Sequence, residues 1–182
     1  MLNAIGGVEL SSIAKGYQVA DHMLKTSDVK LILSRSICPG KYLILISGDV
    51  GEVNASVEAG ISIASYCLAD NFVIPNIHED VLKAIENTVI IEEPRALGVI
   101  EAFSVSAIIE AADAAVKAAD VKLIEIRLAM ALGGKGFVTM TGSVASVETA
   151  VNAGAMAVSK KGLLVDKVII PNPRKELFSE NI

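Results

Sequence analysis

The stretch Ala4-Ile5-Gly6-Gly7-Val8-Glu9-Leu10-Ser11-Ser12, with Ala20-Asp21, Lys25 and Asp28-Val29-Lys30-Leu31-Ile32 behind it, returns 92 positions later. There it reads Ala96-Leu97-Gly98-Val99-Ile100-Glu101-Ala102-Phe103-Ser104, with Ala112-Asp113, Lys117 and Asp120-Val121-Lys122-Leu123-Ile124. Between residues 4–32 and 96–124, 12 of 29 positions are identical, where chance gives about two. Self-similarity on this scale marks a duplicated structural unit. Beyond a two-residue insertion the offset becomes 94, and Lys41, Gly48, Val50, Val53, Val57, Ala59 and Gly60 match Lys135, Gly142, Val144, Val147, Val151, Ala153 and Gly154. At offset 96, Ile74-Pro75-Asn76 matches Ile170-Pro171-Asn172. The chain therefore reads as two homologous domains, 1–91 and 95–182, meeting near Glu92-Glu93-Pro94-Arg95.

Each half predicts the same order of elements. In the first, an apolar strand over residues 3 to 10 leads to Ser11-Ser12, where a hydroxyl can cap a helix over residues 13 to 26. Strands at 29 to 36 and 41 to 47 flank the turn Ile37-Cys38-Pro39-Gly40. A helix from Val50 to about Leu68 then precedes a strand at 71 to 74 that stops at Pro75. Its small residues Ala55, Ala59, Gly60 and Ala64 allow close approach to a sheet. The second half predicts elements at 96 to 102, 105 to 119, 121 to 129, 135 to 141, 144 to 160 and 166 to 170. The order β-α-β-β-α-β is that of an α+β split βαβ, or ferredoxin-like, sandwich. Two such domains in tandem are expected, each an antiparallel sheet with helices on one face.

Composition narrows the function. Of 182 residues, 52% are hydrophobic, 4% aromatic and 20% charged, and mean hydropathy is +0.54. This excludes disorder, collagen-like repeats and a disulfide framework. No uninterrupted apolar run reaches the roughly 18 to 20 residues a membrane span needs, so the surplus is expected to be buried between subunits. Sixteen basic against 21 acidic residues leave a net charge of −5, with no cationic cluster for nucleic acid. The start Met1-Leu2-Asn3-Ala4 lacks the basic region of a signal peptide, and a cytoplasmic protein is expected. There Cys38 and Cys67 should be reduced thiols or metal ligands.

The openings Gly6-Gly7-Val8-Glu9 and Gly98-Val99-Ile100-Glu101, the pairs Asp21/Lys25 and Asp113/Lys117, the Lys41 to Asp49 and Lys135 to Ser143 strands and the Ile-Pro-Asn endings resemble bacterial microcompartment (BMC) shell domains. The resemblance covers nearly the whole chain, twice. It implies a tandem-domain shell protein forming a homotrimer whose six domains imitate a hexamer, with other shell proteins as neighbours. Ser34-Arg35-Ser36-Ile37-Cys38-Pro39-Gly40-Lys41 is similar to the central loop of the tandem shell proteins of propanediol-utilisation compartments. These carry an iron–sulfur cluster on their symmetry axis. The segments Ser12-Ile13-Ala14-Lys15-Gly16 and Gly133-Gly134-Lys135 point to the same group.

That resemblance gives each candidate residue an expected role. An iron–sulfur cluster takes about four thiolates, and one Cys beside Pro and Gly is a poor site alone. Three Cys38 thiolates at a threefold axis would supply three ligands to one [4Fe-4S] cluster per trimer, suited to electron transfer with a redox enzyme of the compartment. Pro39 limits the backbone and Gly40 permits a tight turn at a crowded centre. Ser36 and Ile37 complete that loop, and Gly133 and Gly134 form the second, longer one. Leu132-Gly133-Gly134-Lys135-Gly136 is no phosphate-binding loop: Gly136 follows the lysine, and Ala129 occupies the position of the first glycine. Cys67 reads as a buried small hydrophobe. Lys25 and Lys117 occupy the tile-edge lysine position, supported by Asp21 and Asp113 at i,i+4. His78 and Arg174 correspond to the basic residue across that edge, although His78 departs from the family's pattern. No catalytic residue is expected. The alternatives are a cluster-free tile with a central metabolite pore, and a ferredoxin-like enzyme or small-molecule sensor. The last lacks clustered acids, histidines or a nucleotide loop in either half.

Overall fold

The computed structural model describes residues 4–86, 89, 91, 93–128 and 133–178. These fall into two compact units, residues 4–77 with 133–134 and residues 78–128 with 135–178. The expected sequence split at 92–95 is thus joined by a division in packing between Ile77 and His78. Glu92, within the expected linker, lies outside the described residues.

In the first unit, β1 (Ala4–Leu10), α1 (Ile13–Thr26), β2 (Lys30–Ile37), β3 (Lys41–Gly48), α2 (Val50–Ala64) and β4 (Leu68–Pro75) build one sheet and two helices. The strand order is β2-β3-β1-β4, antiparallel throughout, the split βαβ arrangement expected. Ser12 caps α1, its side chain accepting from the Lys15 amide at 3.3 Å. Helix α1 buries Gly16, Val19, Ala20 and Met23, the i, i+3, i+4, i+7 stripe of an amphipathic helix. Each large apolar side chain so buried contributes roughly 1.5–3 kcal/mol relative to exposure. Helix α2 buries Val53, Ser56, Val57, Gly60 and Ala64. Ser56 Oγ donates to the Met23 carbonyl at 3.0 Å, tying the two helices together.

Helix α2 stops four residues before the expected end. Ser65 adopts φ 54°, and a 3-10 turn over Ser65–Cys67 follows. The Cys67 carbonyl accepts from the Ser11 amide at 2.8 Å and from Ser11 Oγ at 3.2 Å, so this turn is fastened to the end of β1. Strand β4 correspondingly starts at Leu68, because β1 offers it a partner along its whole length, with a bulge between Glu9 and Leu10.

The second unit repeats the plan with β5 (Ala96–Ala102), α4 (Val105–Ala118), β6 (Val121–Leu128), β7 (Gly136–Gly142), α5 (Val144–Ser159) and β8 (Leu164–Ile170), ordered β6-β7-β5-β8. Even the β2/β3 irregularity at Leu31/Leu33 recurs in β6/β7, at Leu123/Glu125. One further helix, α3 (Glu79–Glu86), has no counterpart among the expected elements. It lies against β6. Glu79 and Asp80 in its first turn suit the helix dipole. Among the described residues, no helix is long and apolar enough to cross a membrane.

Candidate functional site at the β2–β3 hairpin

Strand β2 ends at Ile37 and β3 begins at Lys41, leaving Cys38, Pro39 and Gly40 as the hairpin turn. Gly40 has φ +76°, a region open to glycine and costly for most other residues. The Cys38–Pro39 peptide is cis. Cys38 is a free, half-buried thiol, and Pro39 and Gly40 are exposed. Ser36 is exposed on β2, whereas Ile37 turns into the core and is unavailable to line an opening. In the other hairpin, Gly133 is exposed and Gly134 is buried. Residues 133–134 group with the first unit, and a Cβ on Gly134 would lie 2.7 Å from Pro39 Cδ. The two loops singled out from the sequence are thereby brought together at Pro39. Leu132 and Ala129 lie outside the described residues.

Beneath the turn, β3 opens with two anchors. Lys41 Nζ bonds Glu9 Oε1 at 2.7 Å, and the Glu9 side chain is fully buried. Lys135 and Glu101 make the equivalent pair at 2.6 Å. Sequence reasoning passed over both pairs, although all four residues stand among the repeat's identical positions. A buried carboxylate is tolerated only when paired, so the Glu9–Lys41 pair fixes the root of its hairpin, whereas Glu101 is partly exposed and holds its hairpin less strictly. The second anchor is Tyr42, whose ring rests on α1 where residue 16 lacks a side chain: a Cβ there would fall 2.3 Å from Tyr42 Cγ. Tyr42 Oη and Ser34 Oγ share a 2.9 Å hydrogen bond across β2–β3. Tyr17 stacks at a tilt, with ring centroids 5.0 Å apart.

Burial pushes the Tyr42 phenol above its ordinary value of 10.0, while the Ser34 bond opposes the shift. The folded state therefore holds this proton more tightly than the unfolded chain. Its contribution to stability is complete below the unfolded pKa of about 10 and is lost as pH climbs through the higher folded value. Tyr42→Phe is expected to cost about 1 kcal/mol near neutrality, for the lost Ser34 bond. It should also flatten the alkaline decline, read as urea midpoints between about pH 8 and about pH 11. An unchanged alkaline slope would contradict this assignment.

The remaining candidates are dispersed. Lys25 pairs with Asp21 at 2.7 Å and Lys117 with Asp113 at 2.6 Å, both i,i+4 pairs as the spacing predicts. His78 precedes α3; its amide donates to Asp113 Oδ1 at 2.9 Å, and its Nδ1 accepts from the Asp80 amide at 3.3 Å. Arg174 is exposed, with Nη2 3.5 Å from Glu176 Oε1. Cys67 is buried. Among the described residues, no three His, Cys, Asp or Glu side chains come together to hold a metal ion. Among the described residues, the turn itself offers a metal one donor of this kind, the Cys38 thiol, and a thiolate is a fitting donor for an iron–sulfur cluster.

These features define a duplicated split βαβ protein whose distinctive chemistry sits in a hairpin turn. The BMC domain model matches residues 4–77 and again 96–173, so the chain belongs to the BMC domain family, with two domains in tandem. It is 42% identical to the bacterial microcompartment shell protein PduT of Citrobacter freundii over 182 residues, covering 100% of this chain and 99% of that protein. Over 82 residues, 45% of this chain, it is 43% identical to the single-length shell protein EutM of Salmonella typhimurium, 83% of which is covered. A crystal structure of a microcompartment protein from Desulfitobacterium hafniense superposes with a TM-score of 0.87 at 49% identity, covering 97% of this chain and 98% of that one.

Proposed function

We propose that this chain is a structural shell protein of a bacterial microcompartment, built as a homotrimer in which six BMC domains surround one axis. Three Cys38 thiolates, one from each chain, bind a [4Fe-4S] cluster at that axis. When bound, the cluster supplies one-electron transfer across the shell. The observation that carries this reading is the placement of a free, half-buried Cys at the tip of a rigid hairpin, once per chain. Full-length similarity to a shell protein supports the structural half of the proposal.

The protein's own contribution is positional. Glu9–Lys41 and Tyr42 hold the base of the turn, Pro39 and Gly40 shape its tip, and Gly134 lies against Pro39. Backbone N–H groups in such a turn tune a cluster by bonding its sulfurs. Lys25, Lys117, His78 and Arg174 are assigned to edges that meet other shell proteins, and a redox enzyme of the compartment is the partner such a cluster would serve. In protein purified without oxygen, iron and sulfide analysis is expected to find about four of each per three chains. Failure to incorporate iron and sulfide on anaerobic reconstitution would overturn the cluster and favour a tile with a metabolite pore.

A further inference from the structure

The two repeats differ in charge at one corner, where β2 and α2 begin in the first unit and β6 and α5 in the second. In the first unit, Asp49 precedes α2 and Glu52 stands in its first turn. Glu52 Oε2 accepts from the Asp28 amide at 3.2 Å, so one of the chain's own carboxylates lies between the start of α2 and the start of β2. In the second unit serines replace both acids, Ser143 and Ser146 at offset 94, while Asp28 and Lys30 persist as Asp120 and Lys122 at offset 92. Arg95 stands where the first repeat has Asn3. Two negative charges are thus removed and one positive charge is added at a helix start, the end of the dipole that favours an anion.

Asp120, Ser143 and Ser146, the counterparts of Asp28, Asp49 and Glu52, line a cleft of about 590 Å³ together with Arg95 and Lys122. The Arg95 amide donates to Thr141 Oγ1 at 2.9 Å, and that buried hydroxyl donates to the Ala96 carbonyl at 2.8 Å, which fixes the backbone from which Arg95 projects. Arg95 and Lys122 enter no ion pair among the described residues. Ser143 Oγ accepts from the Ser146 amide at 3.1 Å and lies 2.8 Å from Ser146 Oγ, so the two hydroxyls stand side by side at the start of α5. We infer that this cleft binds a small hydroxylated phosphomonoester. A guanidinium, an ammonium, two hydroxyls and a helix start offer more donors than the two oxygens of a carboxylate use, and they suit the three terminal oxygens of a phosphate. The cleft has the volume of a small-molecule site, larger than the phosphate alone requires. Asp120 and the exposed Glu93, the carboxylates on its border, accept from hydroxyls on the organic part of the ligand. In the first unit Glu52 already supplies an anion, so the site exists once per chain. The inference requires neither the trimer nor the cluster, and its failure leaves both standing.

Isothermal titration calorimetry of the full chain with glycerol 3-phosphate tests it, with circular dichroism as the control for folding. Saturable binding is expected, tighter than that of inorganic phosphate, and glycerol and acetate should give none. Arg95→Gln and Lys122→Gln are each expected to weaken binding about tenfold or more. Ser146→Glu, which restores the carboxylate of the first repeat, should abolish it with the fold retained. Lys30→Gln, at the matching position of the first repeat, should leave it unchanged. No saturable heat with glycerol 3-phosphate at millimolar concentration, or binding that survives Ser146→Glu, overturns the site. Inorganic phosphate or acetate bound as tightly as glycerol 3-phosphate overturns the ligand class.

Discussion

On the proposed three-thiolate site, Cys38→Ser is expected to abolish iron and sulfide binding while leaving assembly and fold intact. In the proposed trimer one substitution removes three ligands at once, so the expected loss is complete and not graded. Serine keeps the size of the side chain but is a poor iron donor, and iron–sulfur clusters are held by thiolates. The hairpin should survive because its anchors lie elsewhere: Glu9–Lys41 at 2.7 Å, Tyr42 with Ser34 at 2.9 Å, and the positive φ of Gly40. Cys67→Ser gives the opposite pattern. That residue is buried beside the turn joined to Ser11, and a hydroxyl placed there without a partner costs about 1–3 kcal/mol. The variant should unfold earlier yet keep its iron. Iron analysis, electron paramagnetic resonance of the reduced protein and sedimentation distinguish the two. An undiminished signal in Cys38→Ser would sink the three-thiolate site.

Much of this architecture is legible in the sequence because the duplication tests each element twice. Ser12 reads as a cap and Ser104 is its partner in the repeat, and both accept from the amide three residues on. What escapes is whatever depends on tertiary context. Helix α3 has eight residues and four charged positions, and no second copy to reinforce its pattern; Val81 and Ala84 become core residues only because β6 lies beneath them. Leu31 and Leu123 are the same residue in the same register, yet Leu31 is 39% exposed and Leu123 2%, and no local rule assigns them different exposures. The buried Glu9 looks in sequence like an acidic residue at a strand end, and its pairing with Lys41, 32 positions away, is a contact that the fold alone reveals. The expected helix over residues 65 to 68 fails for a comparable reason, since Ser11 claims the Cys67 carbonyl that a continuing helix would use.

The two repeats also solve one packing problem in opposite ways. In the first unit a glycine on α1, Gly16, faces the large Tyr42 on β3; in the second the helix carries Ile108 and the strand carries Gly136. The positions correspond at offsets 92 and 94. A Cβ at position 16 would lie 2.3, 2.4 and 2.6 Å from Cγ, Cδ1 and Cβ of Tyr42, the root of that side chain, which cannot swing aside. At Gly136 the Cβ would meet the Arg127 carbonyl at 3.1 Å and Ile108 Cγ1 at 3.2 Å. Gly16→Ile is therefore expected to destabilise by about 3 kcal/mol or more, beyond the usual range for overpacking. Tyr42→Gly should cost about 3–5 kcal/mol for the emptied core, with roughly 1 kcal/mol more for a glycine in a strand. Combined, the two substitutions recreate the Ile108–Gly136 arrangement, so the double variant should recover at least about 2 kcal/mol relative to additivity. Recovery should be partial, because the Ser34 bond and the Tyr17 contact go with the ring. Urea unfolding of all four proteins measures the coupling, and strictly additive losses would show that the swap between repeats is not compensation. Since Tyr42 stands two residues after Gly40 at the foot of the Cys38 turn, iron content should follow the same cycle, falling in each single variant and rising again in the double.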